Sequence, residues 1–217
     1  MRLECVQTKN LLSRGRGSCT TIDPHHPLGT PRPSLRGGCP VSTMGHDPID
    51  QLVREHRFVE GILDRAEAAL SPTTAAPTPQ ALAAVRHHIG QLWVEFYHHS
   101  LHREEHLLFP LLGSLAPPGE GPVAVMEQEH RQMSAHFATV LTPSASAAQA
   151  GRAAAELCQV LRLHIHKEDS ILFPMAQLTL SRGQLSSLAE QFARYDGALP
   201  TPPTPAAWHL ADSRVQQ

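Results

Sequence analysis

The sequence lacks the features that mark several protein classes. Only 5% of its 217 residues are aromatic, and no apolar run reaches the roughly 18–20 residues that a membrane-spanning helix needs. No stretch shows the apolar–polar alternation of a half-buried β-strand. The formal net charge of −2 offers no basic surface for nucleic acid or an anionic membrane. We therefore expect neither nucleic acid nor a membrane as a partner.

Cysteine is also scarce. The four cysteines have spacings that match neither a disulfide framework nor the CxxC pattern of zinc sites: Cys5, Cys19, Cys39 and Cys158. The opening segment MRLECVQTKNLLSRGRG has no continuous apolar stretch of the kind found in secretory signals. These two absences predict reduced thiols and a cytoplasmic protein.

The chain divides by composition. Residues 1–43 are scattered with proline, glycine, arginine and serine and have no helical period, which predicts a disordered extension. Order-promoting sequence begins at Met44, so the natural start is hypothesised to be there. We expect one domain over 44–180, an accessory helix over 181–197 and a disordered tail over 198–217.

Start and stop signals divide the domain into four long helices. Asp47 and Pro48 form a typical N-cap and first helical position, and Thr78-Pro79 restarts the chain after a loop. The second helix is predicted to end at about Leu115, and the third to run from Pro122 to about Leu141. The fourth is predicted from about 148 to about Leu178. A fifth helix is predicted from Ser181 to Asp196, with Gly197 as a left-handed C-cap. Short connections between long amphipathic helices predict an all-α, up-down-up-down four-helix bundle.

Histidine is what the sequence has in excess, with 15 residues. His56, His130 and His164 each lie in the middle of an apolar helical stripe, and Glu168 follows His164 by one turn. Glu60 stands at the same offset from His56. Buried carboxylates need partners, and a bound cation satisfies several converging ligands at once. Three central histidines on three helices therefore predict a metal site.

Two segments repeat one phrase, REEHLLFPLL (103–112) and KEDSILFPMA (167–176). With HDPIDQLVREHRFVE (46–60) and MEQEHRQM (126–133), they make the region from about Gly45 to Leu180 resemble the hemerythrin-like HHE cation-binding family. The resemblance implies a left-twisted four-helix bundle that encloses a non-haem di-iron centre. It also implies a lone histidine ligand on the first and often the third helix, and a histidine with a carboxylate on the second and fourth.

Carried over by position, the resemblance assigns metal ligation to His56, His130, His164 and Glu168. Asp169 is an alternative to Glu168, although helical phase favours Glu168. The second helix leaves two frames open. Counting back from its proline aligns Glu104 with Glu168 but puts Ser100 in the histidine position, whereas helical phase groups His98, His102 and Glu105, which is the preferred set. The summed apolar direction of that helix points nearer Glu104, and a local bulge is one way to reset the phase.

The resemblance implies two carboxylate-bridged iron ions that bind, sense or react with O2, NO or peroxide. Ser134 occupies the position one turn after His130 where oxygen-carrying hemerythrins have a second histidine, which favours redox chemistry over oxygen carriage. The residues leave open whether the protein is an enzyme and which protein partner it has. Two alternatives are a non-catalytic iron-storage or iron-sensing module and a metal-free helical interaction domain, which metal analysis separates.

Overall fold

The computed structural model describes residues 47–70, 77–113, 116–117 and 119–208. The predictions for residues 1–43 and for 209–217 therefore lie outside the described residues. Five helices of more than eight residues lie within these ranges. Helix α1 is Pro48–Ala69, α3 is Gly121–Leu141 and α5 is Arg182–Asp196. Helix α2 begins as Pro79–Phe96, continues as a π-helix through Tyr97–Leu108 and closes as Phe109–Leu112, and helix α4 begins as Ala147–Lys167, continues as a π-helix through Glu168–Leu172 and closes as Phe173–Thr179. None of these helices is both long enough and apolar enough to cross a membrane.

Side-chain caps begin α1, α2, α4 and α5, whereas α3 begins without one. The Asp47 carboxylate accepts a hydrogen bond from the Ile49 backbone N–H at 2.9 Å, and the Thr78 hydroxyl accepts one from Ala81 at 3.2 Å. Ser146 and Ser181 each form a capping box with the glutamine three residues later. The prediction for Gly197 is wrong, because its φ is −69° and the chain leaves α5 through a right-handed turn.

Two apolar clusters show how the helices run. The first contains Leu63, Phe96, Phe137 and Leu157, and the second contains Leu52, Leu108, Met126 and Phe173. Helices α1 and α3 pass from the second cluster to the first, whereas α2 and α4 pass from the first to the second. Adjacent helices are therefore antiparallel, and the predicted all-α, up-down-up-down bundle is confirmed.

The segment after α5 contacts the bundle at Pro203 and Trp208. The indole N–H of Trp93 donates to the Pro203 carbonyl at 2.8 Å, and the Trp208 ring meets Tyr97 edge-on at 5.5 Å. A mostly buried indole needs an acceptor for its N–H, and this segment supplies the carbonyl. Its attachment depends on a contact across 110 residues of sequence, which composition does not reveal.

Candidate metal centre

A layer of buried polar side chains separates the two apolar clusters. Its six members are no more than 4% exposed: His56, His99, Glu104, His130, His164 and Glu168. In each of the four long helices, these residues lie where the helix passes from one cluster to the other. The layer therefore crosses the whole bundle and is closed above and below by apolar side chains.

The six side chains form two overlapping groups. His56 and His99 lie with Glu104 and Glu168 in one group, and His130 and His164 lie with the same two glutamates in the other. Within each group, one ligand atom per residue lies within 4.8 Å of all the others. Glu104 and Glu168 are thus placed between the two histidine pairs, as bridging carboxylates would be.

The two glutamates are the residues that most clearly call for a cation. All four of their carboxylate oxygens are buried without a hydrogen bond among the described residues, and so is Nε2 of His99. The nearest imidazole nitrogens lie 3.2–3.6 Å away but lack hydrogen-bond geometry. Leaving a carboxylate buried without partners costs on the order of several kcal/mol of folding free energy. Imidazole and carboxylate donors together suit iron, so the residues fit the metal that the sequence resemblance implies.

Each histidine is held from behind by a second carboxylate at Nδ1. The four pairs are His56 with Asp169 at 2.8 Å, His99 with Glu55 at 2.7 Å, His130 with Glu105 at 2.8 Å and His164 with Glu129 at 3.0 Å. This outer contact fixes the ring orientation and makes Nδ1 the donor, so that Nε2 faces the layer with its lone pair. Asp169, an alternative ligand in the sequence, has this outer role.

The outer carboxylates follow a two-fold pattern. In α1 and α3 the glutamate directly before the central histidine supports the histidine of the next helix: Glu55 supports His99, and Glu129 supports His164. In α2 and α4 the acid directly after the central glutamate, Glu104 or Glu168, supports the lone histidine of α3 or α1, as Asp169 does for His56. The helix pair α1–α2 thus repeats the chemistry of α3–α4.

When no metal is bound, protons on His99 and His164 balance the negative charges of the carboxylates in the layer. Burial lowers the pKa of His99, but the charges of Glu104 and Glu55 and the hydrogen bond with Glu55 outweigh it and raise that pKa to about 10. His164 likewise reaches a pKa of about 10 against the effect of burial, through Glu168 and Glu129. Burial and the charge of His164 lower the pKa of His130 to about 4. A cation in the layer would replace the protons on His99 and His164.

The structure places the predicted residues of α2 differently from the preferred set. His98 and His102 are half-buried outside the layer, where the Tyr195 hydroxyl lies 2.7 Å from His98 Nδ1 and the Tyr195 ring stacks on His102 at 3.6 Å. Glu105 lies on the outer side of His130, with Oε1 2.8 Å from Nδ1. The residues that enter the layer from α2 are His99 and Glu104, so the set His98, His102 and Glu105 is corrected.

A change of helical period explains the error. A π-helix places residues five apart on one face, whereas an α-helix places residues four apart there. His99 and Glu104 are five apart within the π-helical part of α2, but His164 and Glu168 are four apart at the end of the regular part of α4. The α-helical phase therefore selected the wrong face.

A proline follows the π-helical part in both helices, Pro110 in α2 and Pro174 in α4. Proline has no N–H and its ring collides with the carbonyl four residues earlier, so a regular α-helix cannot run through it. The repeated Leu/Phe-Pro phrase and the alignment of Glu104 with Glu168 were the available signals for this frame. Counting back four residues from Glu104, as in an α-helix, reaches Ser100, so this spacing does not identify His99.

Glu60 does not join the layer. Its carboxylate accepts a hydrogen bond from Arg57 at 2.7 Å at the surface, and its side chain is 34% exposed. Ser134 is buried and lines a cavity of about 280 Å3 on the outer side of His130. Neither position one turn after the lone histidine belongs to a group of potential ligands among the described residues.

Comparison with known proteins agrees with this geometry. The family described as Hemerythrin HHE cation binding domain matches residues 47–176. The chain belongs to this family. It is also 35% identical over 85 residues to the iron-sulfur cluster repair protein YtfE of Musicola paradisiaca (strain Ech703), a match that covers 34% of this chain and 38% of that protein. No solved structure matches the chain significantly.

Proposed function

We propose that the polar layer holds two non-haem iron ions and that the protein binds, senses or reacts with O2, NO or peroxide there. The observation that carries this proposal is the position of Glu104 and Glu168, whose unpartnered oxygens lie between two pairs of histidines. One ion would take His56 and His99, the other would take His130 and His164, and both glutamates would bridge. A metal-free interaction domain would leave the oxygens of these buried carboxylates without a hydrogen bond from the described residues.

The residues of the layer have separate tasks in this proposal. When bound, iron supplies open coordination positions for a small molecule and the electrons for its reduction. The four histidines would bind through Nε2. Their outer carboxylates would accept the Nδ1 hydrogen and so keep the rings oriented. The two apolar clusters keep bulk water out of the layer.

The space next to the layer favours a small ligand. A cavity of about 10 Å3 lies against His56, His99 and His164, and its other walls are mostly apolar: Val59, Leu92, Phe96, Leu161 and Ile165. This volume is about that of a single water-sized molecule. It supports a diatomic molecule or peroxide as the ligand rather than an extended organic substrate.

The experiment measures metal content and the visible spectrum of protein made in iron-replete cells. We expect about two iron atoms per chain and a spectral change when the reduced protein meets O2, NO or peroxide. Glu104→Gln and Glu168→Gln should each lose iron from both positions, since each removes a shared ligand. Zinc alone, no metal, or full iron in both variants would contradict the proposal.

A second candidate function is support of iron–sulfur cluster repair. It is favoured by the similarity to the repair protein, although the matched region covers 38% of that protein. In this function, iron from the layer would pass to a damaged cluster. Incubating iron-loaded protein with a cluster protein that has lost iron, and measuring recovery of its cluster, tests the idea. Recovery no greater than with free iron would leave only the reaction with small molecules.

A further inference from the structure

A chain of ionic contacts connects helix α5 to the polar layer. Asp196, at the end of α5, pairs with Nη2 of Arg103, and Nη1 of Arg103 lies 3.3 Å from Oε2 of Glu55. The same Glu55 oxygen accepts the Nδ1 hydrogen of His99 at 2.7 Å. Gln51 closes a second route, because its amide nitrogen reaches Glu55 at 3.0 Å and Asp196 at 3.3 Å.

Burial distinguishes Arg103 from an ordinary surface cation. Arg103 is 7% exposed, and its guanidinium lies 5.9 Å from the ring of Phe192 and 5.4 Å from that of Tyr195, both on α5. By contrast, Arg57, which pairs with the outer carboxylate of His56, is 56% exposed. Charges removed from water interact strongly and are weakly screened. The planar guanidinium also holds two carboxylates in a fixed geometry that an ammonium group does not reproduce.

We propose that helix α5 is a positioning element of the metal centre and that Asp196 and Arg103 act through Glu55 to hold the His99 ring in its ligating orientation. This inference rests on the proposed metal binding. Helix α5 lies outside the matched family region, which ends at residue 176. Its contacts therefore add a constraint on His99 that comes from beyond the four-helix bundle.

Arg103 and Asp196 act by holding Glu55 and His99 in place and take no part in a reaction themselves. Without Arg103, the Glu55 oxygen loses the cation that holds it against α2, and the Glu55 side chain gains rotational freedom. His99 then loses a fixed acceptor at Nδ1, so its Nε2 no longer points steadily into the layer. Loss of such outer contacts typically weakens metal binding by about 10–100-fold.

The test uses the full chain, stripped of metal, with Co2+ as the probe. The dissociation constant is measured by competition with a chelator, and the visible cobalt bands report the ligand geometry. We expect Arg103→Gln to raise the dissociation constant of one of two cobalt ions by about tenfold and to alter its bands. Asp196→Asn should raise it a few-fold, and Arg103→Lys should lie between Arg103→Gln and the parent.

A double-substitution cycle separates positioning from general loss of structure. In a Glu55→Gln background, Arg103→Gln and Asp196→Asn should have little further effect, because the chain of contacts is already broken. Arg194→Gln, which removes an exposed ion pair with Glu190 on the same helix, is the control and should behave like the parent. Circular dichroism of the metal-free variants checks folding, and Asp196, whose side chain is 40% exposed, provides the tolerant variant if Arg103→Gln does not fold.

Parental cobalt affinity in both Arg103→Gln and Asp196→Asn would overturn the inference, and so would full, additive effects in the Glu55→Gln background. Failure of the parent protein to bind cobalt or iron would instead overturn the proposed metal centre on which the inference rests. The two failures are therefore distinguishable by the parent alone.

Discussion

The helix pairs α1–α2 and α3–α4 supply the same set of side chains to the polar layer by different local geometry. In α4, the histidine and the glutamate are four residues apart, at the end of a regular α-helical segment. In α2, they are five residues apart, inside a π-helical segment of 12 residues. Equivalent positions in space therefore need not have equivalent spacing in sequence, because the hydrogen-bonding period of the helix sets which spacing shares a face.

The two halves also differ in how their histidines approach each other. Nε2 of His130 lies 3.0 Å from Nε2 of His164, within hydrogen-bond distance. The rings of His56 and His99 are tilted at a centroid distance of 4.6 Å, and the pKa of both is raised by the surrounding carboxylates against the effect of burial. The halves thus offer a metal the same types of side chain but differ in the contacts between their histidines.

The largest expected effect is the loss of iron when His99 on α2 is replaced, whereas replacement of the adjacent His98 should have little effect. His99→Ala should remove most iron from the position that it shares with His56, because it deletes a buried ligand. His98→Ala, one residue away, should keep iron near the parental amount, because His98 faces Tyr195 outside the layer. Iron per chain, measured by elemental analysis, separates the two variants. The reverse order would restore the frame of His98, His102 and Glu105.

An intermediate effect compares outer carboxylates between the halves. Asp169→Asn and Glu129→Gln each weaken the support of one histidine, His56 or His164, without removing a ligand. Both should weaken iron binding by about tenfold in a chelator competition, yet retain about two iron atoms at saturation. If Asp169→Asn loses an iron atom outright even at saturation, then Asp169 ligates and its assigned outer role is wrong.

Protonation sharpens the comparison in metal-free protein. At pH 8, His99 and His164 should be charged, since the pKa of each is raised to about 10, and His130 should be neutral, since its pKa is lowered to about 4. A raised pKa stabilises the fold fully below the unfolded value of about 6.5 and loses that effect as pH approaches 10. Metal-free protein should therefore lose stability between pH 7 and 10. Nitrogen NMR of the imidazoles checks the charges, and neutral rings at all three positions at pH 8 would refute them.

The smallest expected effect concerns the residues one turn after the lone histidines. Glu60→Gln and Ser134→Ala should both leave the iron content near that of the parent, because neither side chain joins a ligand group. His130→Ala is the matched positive control on α3. A clear loss of iron in Ser134→Ala alone would mean that the two halves bind metal with different ligand sets.

Much of the architecture was predictable from the chain. Caps such as Asp47 with Pro48 and Ser181 with Gln184 act within one helical turn, so their sequence spacing is sufficient to locate helix starts. Apolar periodicity separated the helices and placed His56, His130 and His164 on buried stripes. These signals work because a regular α-helix converts sequence spacing directly into a common face.

Local, regular helix geometry explains why the sequence predicts the set of helices, their antiparallel order and the buried positions of His56, His130, His164 and Glu168. The tertiary structure alone decided that His99 and Glu104 enter the layer, that Trp93 fastens the segment around Pro203, and that Asp196 reaches Glu55 through Arg103. The first depends on a departure from the α-helical period, and the other two join residues about a hundred positions apart. Packing of several helices at once selects such arrangements, and apart from the repeated Leu/Phe-Pro phrase that aligns Glu104 with Glu168, no local pattern in the chain encodes them.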